Sequence, residues 1–278
     1  MQLRTACLIL LALVAFAGNS LLCRAALATT TVDAATFTSI RLISGALVLW
    51  MLVKLQQTKL QTTNESNWTS AFALFAYAFF FSFAYRHLSA AAGALILFSA
   101  VQITMISTGI RRGERLNGFQ LFGLFISFAG LVGLLLPGIS TPPLAYALLM
   151  VLAGVAWGVY SLKGKAVTQP LNATAYNFLK AVPFAILANL FFINQASVDM
   201  HGAVYAIASG AVASGLGYAI WYSVLPQLKA TSAASLQLSV PVFATLGGVI
   251  FLNETLSMRL IVAAALILAG IGIVIRKK

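Results

Sequence analysis

Apolar residues in this chain occur in long uninterrupted blocks separated by short polar segments. A membrane-spanning helix requires about 20 consecutive, mostly apolar residues, and the chain contains ten blocks of that kind. They cover residues 5–27, 34–54, 68–86, 89–110, 117–136, 143–162, 173–193, 202–224, 231–252 and 257–275. The blocks are too long and too uniformly apolar for barrel strands, in which lipid-facing and interior residues alternate. The pattern therefore predicts an all-α integral membrane protein with ten transmembrane helices.

The first block has a second interpretation. Arg4, the apolar stretch Leu8–Phe16 and the sequence Ala15-Phe16-Ala17 resemble a signal peptide with its cleavage site. The apolar character continues to Leu27, however, and ten helices divide evenly into two sets of five, whereas cleavage would leave nine. We expect the first block to be retained as a helix.

An internal repeat with a shift of 140 residues relates the two halves of the chain. Leu88 falls on Leu228, Ser99 on Ser239, Glu114 on Glu254, and Ala129-Gly130 on Ala269-Gly270. With five helices in each copy, the second copy begins on the opposite side of the membrane from the first. The sequence therefore predicts two inverted five-helix repeats, residues 1–138 and 139–278, within a single membrane domain.

Composition and charge agree with a membrane protein. The chain is 61% hydrophobic and only 8% charged, whereas soluble domains carry about 25% charged residues. The net charge of +12 is spread in short clusters between the apolar blocks, which argues against nucleic-acid binding. Most of the cations fall on one side, and the loops of that side should be cytoplasmic: Arg4, Lys54, Lys59, Arg111, Arg112, Arg115, Lys163, Lys165, Lys229, Arg276, Lys277 and Lys278. We therefore expect a multi-pass protein of a bacterial inner membrane with both termini in the cytoplasm.

Four motifs resemble the drug/metabolite transporter superfamily, specifically its ten-helix EamA-type permeases. They are Phe16-Ala17-Gly18-Asn19-Ser20, Asp33–Phe37 followed by Ile40-Arg41, Leu88–Leu95, and the turn glutamates in Gly113-Glu114-Arg115-Leu116 and Asn253-Glu254-Thr255-Leu256. The first helix departs from the common pattern, because Phe16-Ala17 stands where tryptophan is frequent, while Trp157 occupies the matching position in the second half. The resemblance implies export or exchange of small metabolites, often amino acids, and sometimes uptake. It also implies a cavity lined by the fourth and ninth helices.

Three cations in predicted helices are candidates for a role within the membrane. Arg41 and Lys180 are each about two turns inside, in equivalent helices of the two halves, and Arg24 is near the end of the first helix. They could bind a substrate carboxylate or helix carbonyl groups. Alternatively, their long stems could let the charges reach the headgroups, as snorkelling side chains do.

The uncharged candidates for lining a substrate cavity are polar or aromatic residues deep within predicted helices. The alternatives are hydrogen bonding between helices and lipid-facing or interfacial positions. Pro241 is a candidate hinge because it removes one helix hydrogen bond. Tyr85 and Tyr222, nearer helix ends, are expected to be interfacial. The cavity candidates are Asn19, Ser20, Tyr77, Ser99, Gln102, Trp157, Tyr160, Tyr218, Gln237 and Ser239.

The rare acidic residues are not expected to carry transport chemistry. Glu114 and Glu254 lie in turns shortly before a helix, where an acid favours the helix N-terminal dipole. No Asp or Glu lies deep in a span, so the buried glutamate used by the four-helix multidrug exporters has no counterpart. His87 and His201, at the outer face, are weak proton-relay candidates.

No nucleophile–base pair, metal cluster or phosphate-binding loop is present, which argues against an enzyme, a metal site or a cofactor. The sequence favours a permease that moves a small zwitterionic or anionic metabolite, most plausibly an amino acid outward, by alternating access. A proton-coupled drug exporter and a non-transporting scaffold or sensor are the alternatives. A monomer and a homodimer are both left open.

Overall fold

The fold is taken from a computed structural model of the chain. It describes residues 3–56, 67–111, 113, 117–136, 141–164, 167–225, 228, 236–237 and 239–275. These residues form ten helices and no strand, which confirms the all-α prediction. The polar segment between the second and third predicted blocks, the Pro137-Gly138 segment after the fifth block and the glutamate Glu114 lie wholly or largely outside the described residues.

The helix bounds follow the predicted blocks within a few residues. The helices are α1 (Leu3–Thr29), α2 (Ala34–Leu55), α3 (Trp68–Tyr85), α4 (Ala90–Arg111), α5 (Gly118–Leu135), α6 (Leu144–Gly164), α7 (Pro170–Phe191), α8 (Met200–Val224), α9 (Val240–Leu252) and α10 (Met258–Ile275). A short 3-10 turn, Ile193–Gln195, follows α7.

Seven of the described helices, α1–α6 and α8, are long and apolar enough to cross a membrane by length and composition. The described parts of α9 and α10 are apolar but shorter. Helix α7 has the length, but Asn172, Asn177 and Lys180 interrupt its apolar character. The predicted ninth block began at residue 231, whereas α9 begins at Val240, after the helical pair Leu236–Gln237 and a turn at Ser239.

Polar side chains at the helix starts explain several of the boundaries. The Asp33 carboxylate accepts hydrogen bonds from the backbone of Ala35 and Thr36 at the start of α2. Asn67 caps α3, and Asn117 forms a capping box with Gln120 at the start of α5. Because the first N–H groups of a helix have no partner within the helix, these side chains fix where the helices begin.

Helices α5 and α10 show the inverted repeat directly. They cross so closely that a Cβ added at Gly270 would lie 2.5 Å from the Gly123 carbonyl oxygen, and one at Gly130 would lie 3.2 Å from that of Ala263. A shift of 140 residues, with the two helices exchanged, converts one of these contacts into the other. The Ser127 hydroxyl donates to the Ile267 carbonyl at 3.2 Å, and these two residues, 140 positions apart, exchange with each other. The crossing therefore lies on a local twofold axis between the two copies.

The remaining helices also pack across the two repeats, helices of the first copy against helices of the second. Helix α2 packs against α7, α3 against α6, and α1 against α8 and α9. The bundle has two opposite faces at the helix ends. The Glu254 face carries Glu254, Arg24, Asp33 and Ala90. The Lys163 face carries Lys163, the end of α2 and the start of α3.

The middle of α8 departs from α-helical winding. Residues Ser209–Leu216 form a π-helix, with α-helix before and after it. A Cβ added at Gly210 would collide with the Arg41 carbonyl oxygen and the Ser44 hydroxyl of α2. Glycine is therefore needed where α8 crosses α2. Because π-helical segments are rare and frequently occur at functional sites, the crossing of α2 and α8 is a candidate functional region.

Candidate functional site

Arg41 is the centre of a buried polar cluster. Its side chain is only 1% exposed, so it does not reach the headgroups. The guanidinium donates through Nε to the Ser214 hydroxyl at 3.2 Å and through Nη2 to the Tyr77 hydroxyl at 3.3 Å. It also lies 5.1 Å from the centre of the Phe81 ring, within the range of a cation–π contact. Its burial argues against the snorkelling interpretation of Arg41, and its binding of a substrate carboxylate stays a prediction.

Asn19 extends the cluster from α1 to α3 and α8. Its Nδ2 donates to the Tyr77 hydroxyl at 3.1 Å, and its Oδ1 accepts from Ser209 at 2.6 Å. The Tyr77 oxygen thus accepts two hydrogen bonds, one from Asn19 and one from Arg41. Both serines lie in the π-helical part of α8, so the irregular winding supplies two of the contacts that hold the cluster together.

The cluster has more donors than acceptors. Arg41 Nη1 is buried and has no hydrogen-bond partner among the described residues. The Tyr218 hydroxyl is also buried and makes no hydrogen bond of normal geometry there, although it lies near the Tyr77 hydroxyl and the Arg41 guanidinium. Arginine has five N–H donors and no acceptor, and it stays protonated in proteins. A buried donor without a partner costs about 1–3 kcal/mol, and a buried charge costs more unless it is paired. These buried donors therefore leave hydrogen-bonding capacity unused within the described part of the chain.

Aromatic rings surround this polar centre. Trp157 of α6 lies between Tyr77 and Tyr218, with ring centres 4.9 and 5.0 Å away. Phe16 of α1 packs edge-on against Trp157 at 6.0 Å and against Tyr218 at 5.8 Å. Tyr160, one turn beyond Trp157, is also fully buried. Helices α1, α2, α3, α6 and α8 thus converge here from both halves of the chain.

The Glu254 face holds every described acidic residue. Asp33 and Asp199 lie at helix starts, where Asp199 accepts from the Thr31 backbone and hydroxyl. Desolvation acts to raise the pKa of Asp199, but its hydrogen bonds, including those from Thr30 and Gly202, outweigh that effect and lower the pKa. Within the described residues, no carboxylate approaches Arg41.

Glu254 joins the two repeats at this face. Both of its carboxylate oxygens accept from the backbone N–H of Ala90, and Oε1 also pairs with Arg24 Nε at 3.1 Å. Arg24 Nη1 donates to the carbonyls of Tyr85 and Arg86, so Arg24 is held by protein groups. The structural role predicted for Glu254 agrees with these contacts. Its partner helix differs from the prediction, because it caps α4 of the first repeat and not the helix that follows it.

Lys180 lies apart from the Arg41 cluster. Its half-buried amine is 5.8 Å from the centre of the Trp68 ring and 5.4 Å from that of Tyr176, between α3 and α7. Trp68 is exposed at the start of α3. The equivalence with Arg41 in sequence is therefore not an equivalence in position, and the location of Lys180 favours snorkelling.

The candidates on α4 and those just before α9 also lie outside the Arg41 cluster. Ser99 bonds to the Leu95 carbonyl of its own helix, and with Gln102 it lines a cavity of about 250 Å³ between α4, α5 and α10. Gln237 is buried, and Ser239 bonds back to Leu236. Their role in lining a substrate cavity remains a prediction.

Expectations from the sequence also concern Pro241, Ser20, Tyr85 and Tyr222. Pro241 occupies the first turn of α9, where a missing N–H costs little. A helical break precedes it, so the hinge remains a prediction. Ser20 is buried on α1. Tyr85 and Tyr222 are not interfacial as expected, because both are buried, and the Tyr85 hydroxyl donates to the Ala90 carbonyl.

Sequence reasoning missed Ser209, Ser214 and Phe81 as members of the cluster. The signal for the two serines was present as the small-residue run Ser209-Gly210-Ala211-Val212-Ala213-Ser214-Gly215, which permits close helix approach. Nothing in the sequence distinguished Phe81 from the neighbouring phenylalanines of α3, since only the rotation of α3 decides which of them faces Arg41.

Comparison with known proteins adds a family to this geometry. Residues 3–136 and residues 144–276 each match the EamA-like transporter family. An uncharacterized protein of Pseudomonas aeruginosa is 52% identical over 98% of this chain and 94% of its own length. An uncharacterized transporter of Archaeoglobus fulgidus is 27% identical, covering 74% of this chain and 75% of its own.

Two further matches concern a named activity and the fold. A probable amino-acid metabolite efflux pump of Escherichia coli is 25% identical, covering 74% of this chain and 73% of its own. A solved crystal structure matches 98% of this chain and 96% of its own with a TM-score of 0.69 and 19% identity, which concerns the fold alone.

Proposed function

Because the chain belongs to the EamA-like transporter family and is a multi-pass membrane transporter, we propose that it exports a small zwitterionic or anionic metabolite by alternating access. An amino acid or a related compound is the substrate class that this proposal favours. The 25% identity to a protein named a probable amino-acid metabolite efflux pump supports the direction and the class. The proposal retains the sequence-based division into repeats 1–138 and 139–278.

The observation that carries the proposal is the buried Arg41 guanidinium with an unpartnered Nη1 beside the unpartnered Tyr218 hydroxyl. A polar group in the hydrocarbon region is costly and usually marks a substrate or ion pathway. This pair lies where helices of both repeats meet, which is the position expected for a transporter's binding site. We assign the substrate's carboxylate to these donors.

Alternating access is supported by the way the repeats are joined. The two halves contact each other across a local twofold axis at α5 and α10. Glu254 bridges them at one face, and Lys163 Nζ donates to the Thr69 hydroxyl at the other. Inverted repeats can adopt two exchanged packings, one open to each side. In this proposal α5 and α10 brace the halves, while the helices around Arg41 change their relative tilt.

The membrane orientation in this proposal places the Lys163 face in the cytoplasm. Lys54, Arg111 and Lys163 are described on helix ends at that face, in agreement with the positive-inside rule. Export then requires the substrate to enter from the Lys163 face and to leave past Arg24 and Glu254.

Counterflow in proteoliposomes tests the proposal. Purified protein would be reconstituted into vesicles that are loaded in turn with amino acids, nucleosides and organic anions, and uptake of the same labelled solute would be followed. We expect accumulation with at least one zwitterionic or anionic solute and none in protein-free vesicles. If folded protein exchanges none of the panel, the transport proposal is wrong.

A pair of variants tests the site. Arg41→Gln should abolish exchange, whereas Lys180→Gln should leave it unchanged, because Lys180 lies outside the cluster. Equal exchange by both variants would remove Arg41 from the substrate path.

A further inference from the structure

We propose that the site selects a monocarboxylate without an α-ammonium group, such as a 2-oxo acid, over the corresponding amino acid. This inference rests on the proposed transport function. Among the amino acids and related compounds of that proposal, it favours the related anions that lack an ammonium group. Its basis is charge balance in the region around Arg41.

The site supplies one positive charge and no negative charge. All five acidic residues of the chain, Asp33, Glu65, Glu114, Asp199 and Glu254, lie outside the ten helices by sequence position. The three that the structure describes are at the Glu254 face, in helix caps or in the bridge to Arg24. No carboxylate within the spans can therefore neutralise a substrate ammonium.

A monoanion would neutralise the site, whereas a zwitterion would not. Two oxygens of a carboxylate can accept from Arg41 Nη1 and from the Tyr218 hydroxyl, which are the two unpartnered donors. The α-ammonium of an amino acid would then lie within a few bond lengths of a buried guanidinium. Like charges at that distance repel strongly where the dielectric constant is low, and the ammonium would also lose its hydration.

The aromatic rings offer the ammonium little compensation. Trp157, the largest of them, has Tyr77 and Tyr218 packed at 4.9 and 5.0 Å. Phe81 and Tyr77 already lie 5.1 and 5.2 Å from the Arg41 guanidinium carbon. These ring faces are therefore engaged with one another or with Arg41, and a second cation would have to compete for them.

The polar acceptors that contact Arg41 are engaged as well, and among the described residues the buried acceptor without a partner in this region, Asn177 Oδ1, lies farther out beside Tyr160. Asn19 Oδ1 accepts from Ser209, and the Tyr77 oxygen accepts from both Asn19 and Arg41. An ammonium group requires up to three acceptors. A carbonyl or hydroxyl at the same carbon of the substrate has no such requirement, so 2-oxo and 2-hydroxy acids fit the donor-rich surroundings.

A matched series with one side chain provides the test. Phenylpyruvate, phenylalanine and phenethylamine differ only in the carboxylate and the ammonium or oxo group. Counterflow of labelled phenylpyruvate and phenylalanine would be measured at equal concentration in proteoliposomes, with protein-free vesicles subtracted. Phenethylamine, which crosses bilayers unaided, would be added only as a competitor.

We expect phenylpyruvate to exchange at least about tenfold faster than phenylalanine, equivalent to about 1.4 kcal/mol, and phenethylamine not to compete. Exchange of phenylalanine as fast as that of phenylpyruvate would overturn the inference while leaving the transport proposal intact. Exchange of cations or nucleosides without either acid would also overturn it. Failure of every solute would count against transport itself.

Two variants keep the test independent of folding. Tyr218→Phe removes a hydroxyl that has no described partner, so it should fold normally. It should slow phenylpyruvate exchange by about fivefold, corresponding to one hydrogen bond of about 1 kcal/mol. Tyr146→Phe is the control, because its ring stacks on His87 at 4.1 Å far from the cluster. An unchanged rate in Tyr218→Phe would show that the carboxylate is bound elsewhere.

Discussion

The carboxylate of Glu254 caps the backbone N–H of Ala90, with oxygen–nitrogen distances of 3.1 and 2.8 Å. The two residues belong to different repeats and are 164 positions apart in the sequence. Because Glu254 is only 11% exposed and also pairs with Arg24, which is 22% exposed, the bridge is sheltered from full solvent screening. It fixes the ends of α1, α4 and α9 relative to one another at one face of the protein.

Glu254→Gln should destabilise the protein. The amide keeps one acceptor oxygen but loses the charge that favours both Arg24 and the α4 N-terminus, a loss of about 1–3 kcal/mol. We expect a lower midpoint of thermal unfolding in detergent. Arg24→Gln should lower it similarly, and the double variant should lose less than the sum, because both changes break the same contact.

Arg86→Gln is the matched control for this cycle. Arg86 is exposed at the same face, and only its backbone carbonyl takes part in the bridge. Its substitution should leave the midpoint unchanged. Strict additivity of Glu254→Gln and Arg24→Gln would mean that the ion pair contributes nothing.

Tyr77→Phe should disturb the Arg41 cluster without changing the packing of the ring. The lost hydroxyl accepts from Asn19 and from Arg41, so two buried donors would lose a partner, and we expect destabilisation of about 1–3 kcal/mol. Substrate exchange should fall as well. Thermal unfolding and counterflow would measure the two effects. Wild-type behaviour in both would show that this hydroxyl does not hold the cluster.

Gly123→Ala should separate α5 from α10. The added Cβ would lie 2.6 Å from the Gly270 carbonyl oxygen, a distance that requires backbone movement, and overpacking of this kind costs about 1–3 kcal/mol. Gly272→Ala is the control in α10, because a Cβ there meets nothing within 4 Å. Thermal unfolding should distinguish them. Equal midpoints would mean that the helix crossing is less close than described.

The sequence predicted most of the fold because each helix is a contiguous apolar block with a chemical reason to end. Asp33 and Asn117 cap the helices that the blocks predicted, and the 140-residue repeat predicted the inversion. The caps depend on neighbouring residues alone, and the repeat is visible when the two halves of the sequence are compared. The turn at Ser239, just before Val240, was not predicted, because the ninth block is apolar on both sides of it.

The site was predicted only in part, because its members come together through helix rotation. Arg41, Asn19, Tyr77, Trp157 and Tyr218 were candidates and do meet. Lys180 was an equal candidate by sequence but lies on another side of α7, two residues from the buried Phe178, which contacts Tyr218. Two residues along a helix correspond to a turn of about 200°, and apolarity that continues around the whole helix does not reveal which side faces inward.

The crossing of α2 and α8 gives the last prediction. A Cβ at Gly210 would collide with the Arg41 carbonyl oxygen and the Ser44 hydroxyl, so Gly210→Ala must push the π-helical segment away from α2. The hydrogen bond from Arg41 to Ser214, in that same segment, would lengthen, and both stability and substrate exchange should fall.

Gly18→Ala is the control for Gly210→Ala. Gly18 lies in α1 next to Asn19, and a Cβ there meets nothing within 4 Å. Because alanine is favoured over glycine in a helix by about 0.5–1 kcal/mol, Gly18→Ala should be neutral or slightly stabilising. Thermal unfolding and counterflow would be compared for the two variants. If Gly210→Ala matches Gly18→Ala in both, the close approach of α8 to Arg41 is not needed to form the site.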